Sequence, residues 1–162
     1  MNHPTKLALA ITLALGVAAC GKEEPKPAPK VEAPAGITVT IAHAGPLTGS
    51  IAHLGKDDEN GVALAIQHAN GKKLVIDGKP VTFKMVSEDD QADPKTGTTV
   101  AQKLVDAKVA AVVGHLNSGT SIPASKVYSD AGIPQISPSA TNPKYTRQGF
   151  KTTFRVVADD VH

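Results

Sequence analysis

The stretch "GHLNSGTSIPAS" (Gly114 to Ser125) sets Asn117, Ser118, Gly119, Thr120 and Ser121 in a row, between an apolar run and a helical pattern. "SPSATNP" (Ser137 to Pro143) and "HAGPLTGSIAHLG" (His43 to Gly55) share its Gly, Ser and Thr character. Hydroxyls, amides and free backbone N–H groups donate hydrogen bonds but form no acid–base pair. At a helix start, unpaired N–H groups and the positive end of the helix dipole add to them. That chemistry suits a small anion such as a carboxylate. The same residue types also build turns and caps, and Asn117 or Ser118 fits the cap position.

Other chemistries find little support. There is no Gly-Lys-Ser/Thr phosphate loop, no G-x-G-x-x-G after the first strand and no G-x-S-x-G elbow. His43, His53, His68 and His115 fall in no H-x-x-x-H or H-E-x-x-H spacing and read as structural or surface residues. "EDDQAD" (Glu88 to Asp93) lacks the ligand spacing and glycine of a calcium loop and reads as a strand end plus a helix cap. No metal or cofactor is implied. The net charge of +2, with no block of like charge, argues against nucleic acid. Binding is favoured over catalysis.

The elements that must hold these loops follow from periodicity. "ITVTIAHAG" (Ile37 to Gly45) alternates and is β-branched, so it reads as a strand. "DDENGVALAIQHANG" (Asp57 to Gly71) sets Val62, Ala65, Ile66 and Ala69 at helical spacing and ends on an Asn-Gly cap. Asp77-Gly78 between β-prone runs marks a hairpin within residues 74–89. Asp93-Pro94 opens a helix whose Val100, Leu104 and Ala107 share a face. "VAAVVG" (Val109 to Gly114) is a buried strand, "SIPASKVYSDAG" (Ser121 to Gly132) a helix with Tyr128 in the core, and "IPQIS" (Ile133 to Ser137) and "TTFRVV" (Thr152 to Val157) are short strands. Strands alternating with helices predict an α/β fold, a parallel sheet with helices on both faces. All three hydroxyl-rich loops then leave the carboxyl ends of strands, where ligands bind in open sheets.

The chain has 162 residues, with 41% hydrophobic, 20% charged and only 3% aromatic, room for one domain with an aliphatic core. Its first residues read as an export signal: Lys6, then the short apolar run "LALAITLALGVAAC" (Leu7 to Cys20) ending in small residues. The run is short for a membrane span. "VAAC" (Val17 to Cys20) resembles a bacterial lipobox, with Val17 where leucine is usual, so Cys20 is the expected lipidation site. A lone cysteine cannot form an internal disulfide. "GKEEPKPAPKVEAPAG" (Gly21 to Gly36) has the Pro, Lys, Glu and Ala composition of a solvated tether. The expected organisation is a signal over 1–19, a tether over 20–36 and a folded lobe over 37–162.

Along nearly all of that lobe the sequence resembles the periplasmic Leu/Ile/Val-binding proteins of ABC importers. The resemblance rests on "GPLTGSIAHLGKDDENGVALAIQHAN", "SEDDQADPKTGTTVAQKLV", "VVGHLNSGTSIPASKVYSDAGIPQISPSATNP" and "FRVVADD". It implies the N-terminal, Rossmann-like lobe of a type I periplasmic binding fold. In that family an amino acid lies between two similar lobes. The match places Ser118 and Thr141 on its α-carboxylate and the backbone of Ser139 near its α-ammonium, with Asn117 beside them. Leu54 stands where the family often has an aromatic residue against the ligand side chain. Some members join the segments around Ala92 and Asn117 by a disulfide, and neither position is cysteine here.

The resemblance further implies a small-molecule amino-acid ligand of Leu/Ile/Val type, an inner-membrane ABC permease as partner, and a periplasmic protein lipid-anchored through Cys20. A ligand-sensing domain for amino acids or amides is the alternative; an enzyme is the weakest reading. The family's second lobe is not found in the chain, which is therefore expected to be a truncated form or fragment.

Overall fold

The computed structural model describes residues 35–161. The export signal, Cys20 and nearly all of the tether lie outside the described residues. The chain runs β1 (Ile37–Gly45), α1 (Ala52–Gly71), β2 (Val75–Ile76), β3 (Lys79–Asp89), α2 (Pro94–Asp106), β4 (Ala111–Gly114), α3 (Ser118–Asp130), β5 (Gln135–Ser137), a 3-10 turn (Pro143–Tyr145) and β6 (Thr153–Arg155). One sheet orders the strands β2-β3-β1-β4-β5-β6. All neighbours are parallel except β2 and β3. That pair is the hairpin turned by Asp77 and Gly78, whose φ values of +50° and +74° match the Asp-Gly signal.

Period-two alternation assigns the two faces of the sheet. Ala42 and Ala44 of β1 and Val112 of β4 are fully buried on one face. They pack in one cluster with Val100, Ala101 and Leu104 of α2 and Ala124 and Tyr128 of α3. Ile41, Phe83 and Val113 line the other face, against Val62, Ala65, Ile66 and Ala69 of α1. Helices therefore cover both faces of an α/β fold, as the alternation requires.

Several boundaries differ from expectation. Helix α1 starts at Ala52, five residues before Asp57, although Ile51 at its cap position offers no side-chain hydrogen bond. Packing replaces the cap: Gly55 lies so close to Pro46 that a Cβ would run into the Pro46 carbonyl oxygen. Of the apolar stripe on α1 only Val62 is buried, because the stripe borders an open groove of about 470 Å3. The Asn70-Gly71 pair does not cap α1 in the expected way. Lys73 takes the positive φ of 49°, and the Asn70 amide pairs with both backbone groups of Phe83 at 2.9 and 2.8 Å. Helix α2 begins as read, with the Asp93 carboxylate accepting the Thr96 N–H at 2.7 Å. Ala107 is exposed at its C-terminal cap, and Ala101 takes the buried place. Helix α3 starts three residues early, at Ser118, and β4, β5 and β6 are shorter than their apolar runs.

Two predictions follow from this packing. Gly55→Ala forces α1 off Pro46 and lowers stability by about 1–3 kcal/mol, the usual cost of overpacking; urea unfolding measures it. The second concerns His43 in β1, fully buried with neither ring nitrogen hydrogen-bonded. Burial lowers its pKa, outweighing the attraction of Glu59. The native state then binds fewer protons than the unfolded chain just below pH 6.5, so stability falls as the pH drops through that range. Melting temperatures between pH 7.5 and 5 will show this slope, and His43→Leu will flatten it.

Candidate functional site

Parallel pairing brings the carboxyl ends of β1, β4 and β5 onto one rim. β4 leaves the sheet at Gly114, whose φ of +135° and contact with β1 exclude a side chain: a Cβ would meet the Ala44 carbonyl oxygen. His115 follows, fully buried. Its Nδ1 lies 2.6 Å from Asp90 Oδ2 and its Nε2 lies 3.2 Å from the Tyr128 hydroxyl. Its carbonyl accepts the hydroxyls of Ser121 and Ser137 at 2.9 and 2.8 Å. Ser137 Oγ in turn accepts the Ala140 N–H at 2.9 Å. The turn after β4 and the turn after β5 are thus tied to one residue.

Four of the expected binding residues meet across these turns. Ser139 Oγ donates to the Leu116 carbonyl at 2.8 Å, and Ser118 Oγ accepts the Asn142 N–H at 3.2 Å. The Thr141 carbonyl accepts the Asp160 N–H at 3.0 Å. The Thr141 hydroxyl has no hydrogen-bond partner among the described residues. Asn117 occupies the cap position of α3 but its side chain makes no cap bond, and its Oδ1 is buried without a partner. The expected side-chain cap is therefore not made. The Asn117 carbonyl instead takes the N–H groups of Thr120 and Ser121 and the Thr120 hydroxyl. This leaves the N–H groups of Ser118 and Gly119, in the first turn of α3, without an acceptor inside the helix. Leu54 stands apart from this set, in the first turn of α1, with 46% of its surface exposed.

Charged residues brace the turns from behind. Arg155 on β6 donates from Nη1 to the carbonyls of Ala140 and Asn142, both at 3.2 Å. Its Nη2 lies 3.3 Å from Asp159, which also pairs with Arg147. Asp89 holds the turn after β1, accepting from the Leu47 N–H at 2.8 Å and from the Thr48 hydroxyl. Partial burial works to raise its pKa, but hydrogen bonds from Thr48, Gln91 and Leu47 outweigh it and hold the carboxyl below its usual range. Burial raises the hydroxyls of Tyr128 and Tyr145 far above theirs, so both stay protonated. Among the described residues no cluster of three or more His, Cys, Asp or Glu could hold a metal ion. None of their helices is long and apolar enough to cross a membrane.

Sequence reasoning missed Asp90, His115, Ser137 and Arg155. Asp90 and His115 are 25 residues apart, which no periodicity links. Arg155 closes the short strand β6, and nothing in the local pattern of Thr152 to Val157 pointed to its role.

The sequence and the fold have known relatives. The sequence profile of the family described as periplasmic binding protein matches residues 38–161. The Leu/Ile/Val-binding protein homolog 2 of Brucella abortus is 41% identical over 122 residues, covering 75% of this chain and 32% of its own length. The branched-chain amino acid transporter substrate binding protein LivJ of Streptococcus pneumoniae, solved with isoleucine, superposes with a TM-score of 0.69 at 33% identity. That match covers 76% of this chain and 34% of the other. A substrate-binding protein of an ABC transporter from Desulfitobacterium hafniense, solved with leucine, gives a TM-score of 0.64 at 32% identity over 76% and 35% of the two chains. The chain spans about a third of the length of the curated relatives it matches. The profile match over most of the chain and the likeness to these solved structures place it: the chain belongs to the periplasmic binding protein family.

Proposed function

We propose that residues 37–162 supply one lobe of an extracytoplasmic receptor that binds a branched-chain amino acid and delivers it to an ABC importer. The observation that carries this reading is the convergence of donors on the rim. The free Thr141 hydroxyl, the Ser118 hydroxyl and the open N–H groups of Ser118 and Gly119 come from two turns tied to each other. Charge-assisted hydrogen bonds of this kind suit a carboxylate. Ser118 and Thr141 hold the α-carboxylate, and the backbone of Ser139 helps hold the α-ammonium. Asn117, with an unpartnered oxygen, flanks the ligand, and Leu54 meets its side chain. The isoleucine and leucine in the two solved relatives are ligands of this class.

A single lobe leaves such a ligand half exposed, and tight sites bury most of theirs. The cleft is completed by a second lobe, in keeping with the greater length of the relatives. Residues 1–19 act as the export signal, Cys20 carries the lipid anchor and residues 20–36 tether the lobe to the membrane. The role is transport binding, without catalysis.

The test is calorimetric titration of leucine into protein isolated from its native membrane. Ser118→Ala will weaken binding by about 1–3 kcal/mol, the cost of losing one hydrogen bond to a charged group. Unchanged affinity removes Ser118 from the site, and absence of leucine binding in the parent protein overturns the reading. Intact mass of the same preparation will begin at Cys20 plus a lipid; a mass retaining residues 1–19 rejects the anchor.

A further inference from the structure

The buried cluster behind the rim has a task of its own. Asp90, His115 and Tyr128 are each fully buried, and no ligand on the rim can touch them. Polar groups withdrawn so completely from water persist only where each is satisfied. Asp90 spends Oδ1 on the Ala92 N–H at 2.9 Å and Oδ2 on His115 Nδ1 at 2.6 Å. The Tyr128 hydroxyl has one partner, His115 Nε2. A buried, protonated hydroxyl must donate, and Nε2 is the acceptor within reach. The proton order that satisfies all three groups has Tyr128 donating to Nε2 and Nδ1–H donating to Asp90. Through its carbonyl His115 holds Ser121 of α3 and Ser137 of β5. Ser118 and Ser139 lie within three residues of these anchors.

Resting on the carboxylate reading above, we propose that the Asp90–His115–Tyr128 relay sets the spacing of the two ligand-facing turns. Asp90 and Tyr128 are then positioning residues for a site neither of them reaches. The relay fixes the His115 backbone; that carbonyl fixes Ser137, and Ser137 fixes the Ala140 N–H and the turn that carries Ser139 and Thr141. Asp90→Asn keeps the shape but replaces the acceptor facing Nδ1 by an amide donor. It inverts the proton order and leaves the Tyr128 hydroxyl facing an N–H.

The experiment combines nitrogen-15 NMR of the His115 ring with leucine titration of the parent protein, Asp90→Asn and Tyr128→Phe, all well below their melting temperatures. The parent is expected to carry its ring proton on Nδ1, and Asp90→Asn to move it to Nε2. Leucine affinity should fall about tenfold in Asp90→Asn and about threefold in Tyr128→Phe, in line with lost buried hydrogen bonds. A parent ring protonated on Nε2, or two variants that bind leucine as the parent does, overturns the relay. If Asp90→Asn does not fold, Tyr128→Phe decides alone by the same criterion. If the parent does not bind leucine, the carboxylate reading fails and the relay is judged separately. Faster amide exchange at Ala140 and Asn142 in the folded variants supports it, and unchanged exchange overturns it.

Discussion

Where parallel strands stop, their last peptide groups lose the ladder that satisfied them, yet many remain out of reach of water. The His115 carbonyl is the strongest case here: fully buried at the exit of β4, it accepts from both Ser121 and Ser137. An unsatisfied buried carbonyl costs on the order of 1–3 kcal/mol. The rim is therefore rich in hydroxyls for two reasons at once. Some hydroxyls close off strand ends, and those left over, Thr141 above all, face outward. Closing strand ends and the proposed ligand contacts draw on one residue type, so composition alone does not separate the two roles.

Much of the architecture was legible because local signals and burial agreed. The alternation of β1, the Asp93 cap and the Asp77-Gly78 turn each act over a few residues, and each appears where the pattern placed it. The helix starts were less legible. α1 begins at Ala52 by leaning Gly55 on Pro46, a tertiary contact that leaves no capping residue to read. The short strands near the sheet edge were over-extended, since an apolar run records burial, whereas pairing ends where the neighbour's register ends. The candidate site divided the same way. Composition marked the hydroxyl-rich segments, and the resemblance alone singled out Ser118 at the start of α3 and Ser139 and Thr141 in the turn after β5. Asp90, just past β3, reaches the His115 ring and Arg155, at the end of β6, reaches the Ala140 carbonyl, and only the folded sheet brings them there.

The two faces of the sheet are finished to different degrees. α2 and α3 seal one face into a continuous aliphatic core with Tyr128 at its heart. α1 alone borders the other, and its stripe of Ala65, Ile66 and Ala69 faces an open groove beside Ile41, Val113 and Pro138. Tyr128, which reaches the His115 ring, belongs to the sealed side.

Asn70 has a different consequence. At the end of α1 its side-chain amide bonds to both the N–H and the carbonyl of Phe83 on β3, as the peptide of a further strand would. Two residues earlier on the same flank of the strand, Val81 N–H is taken by the Leu74 carbonyl. A sheet margin with open peptide groups is a template for recruiting strands from other chains. Here a single side chain impersonates a strand at the point where a long margin would otherwise invite one. At Phe83 that margin of β3 is closed to a further strand.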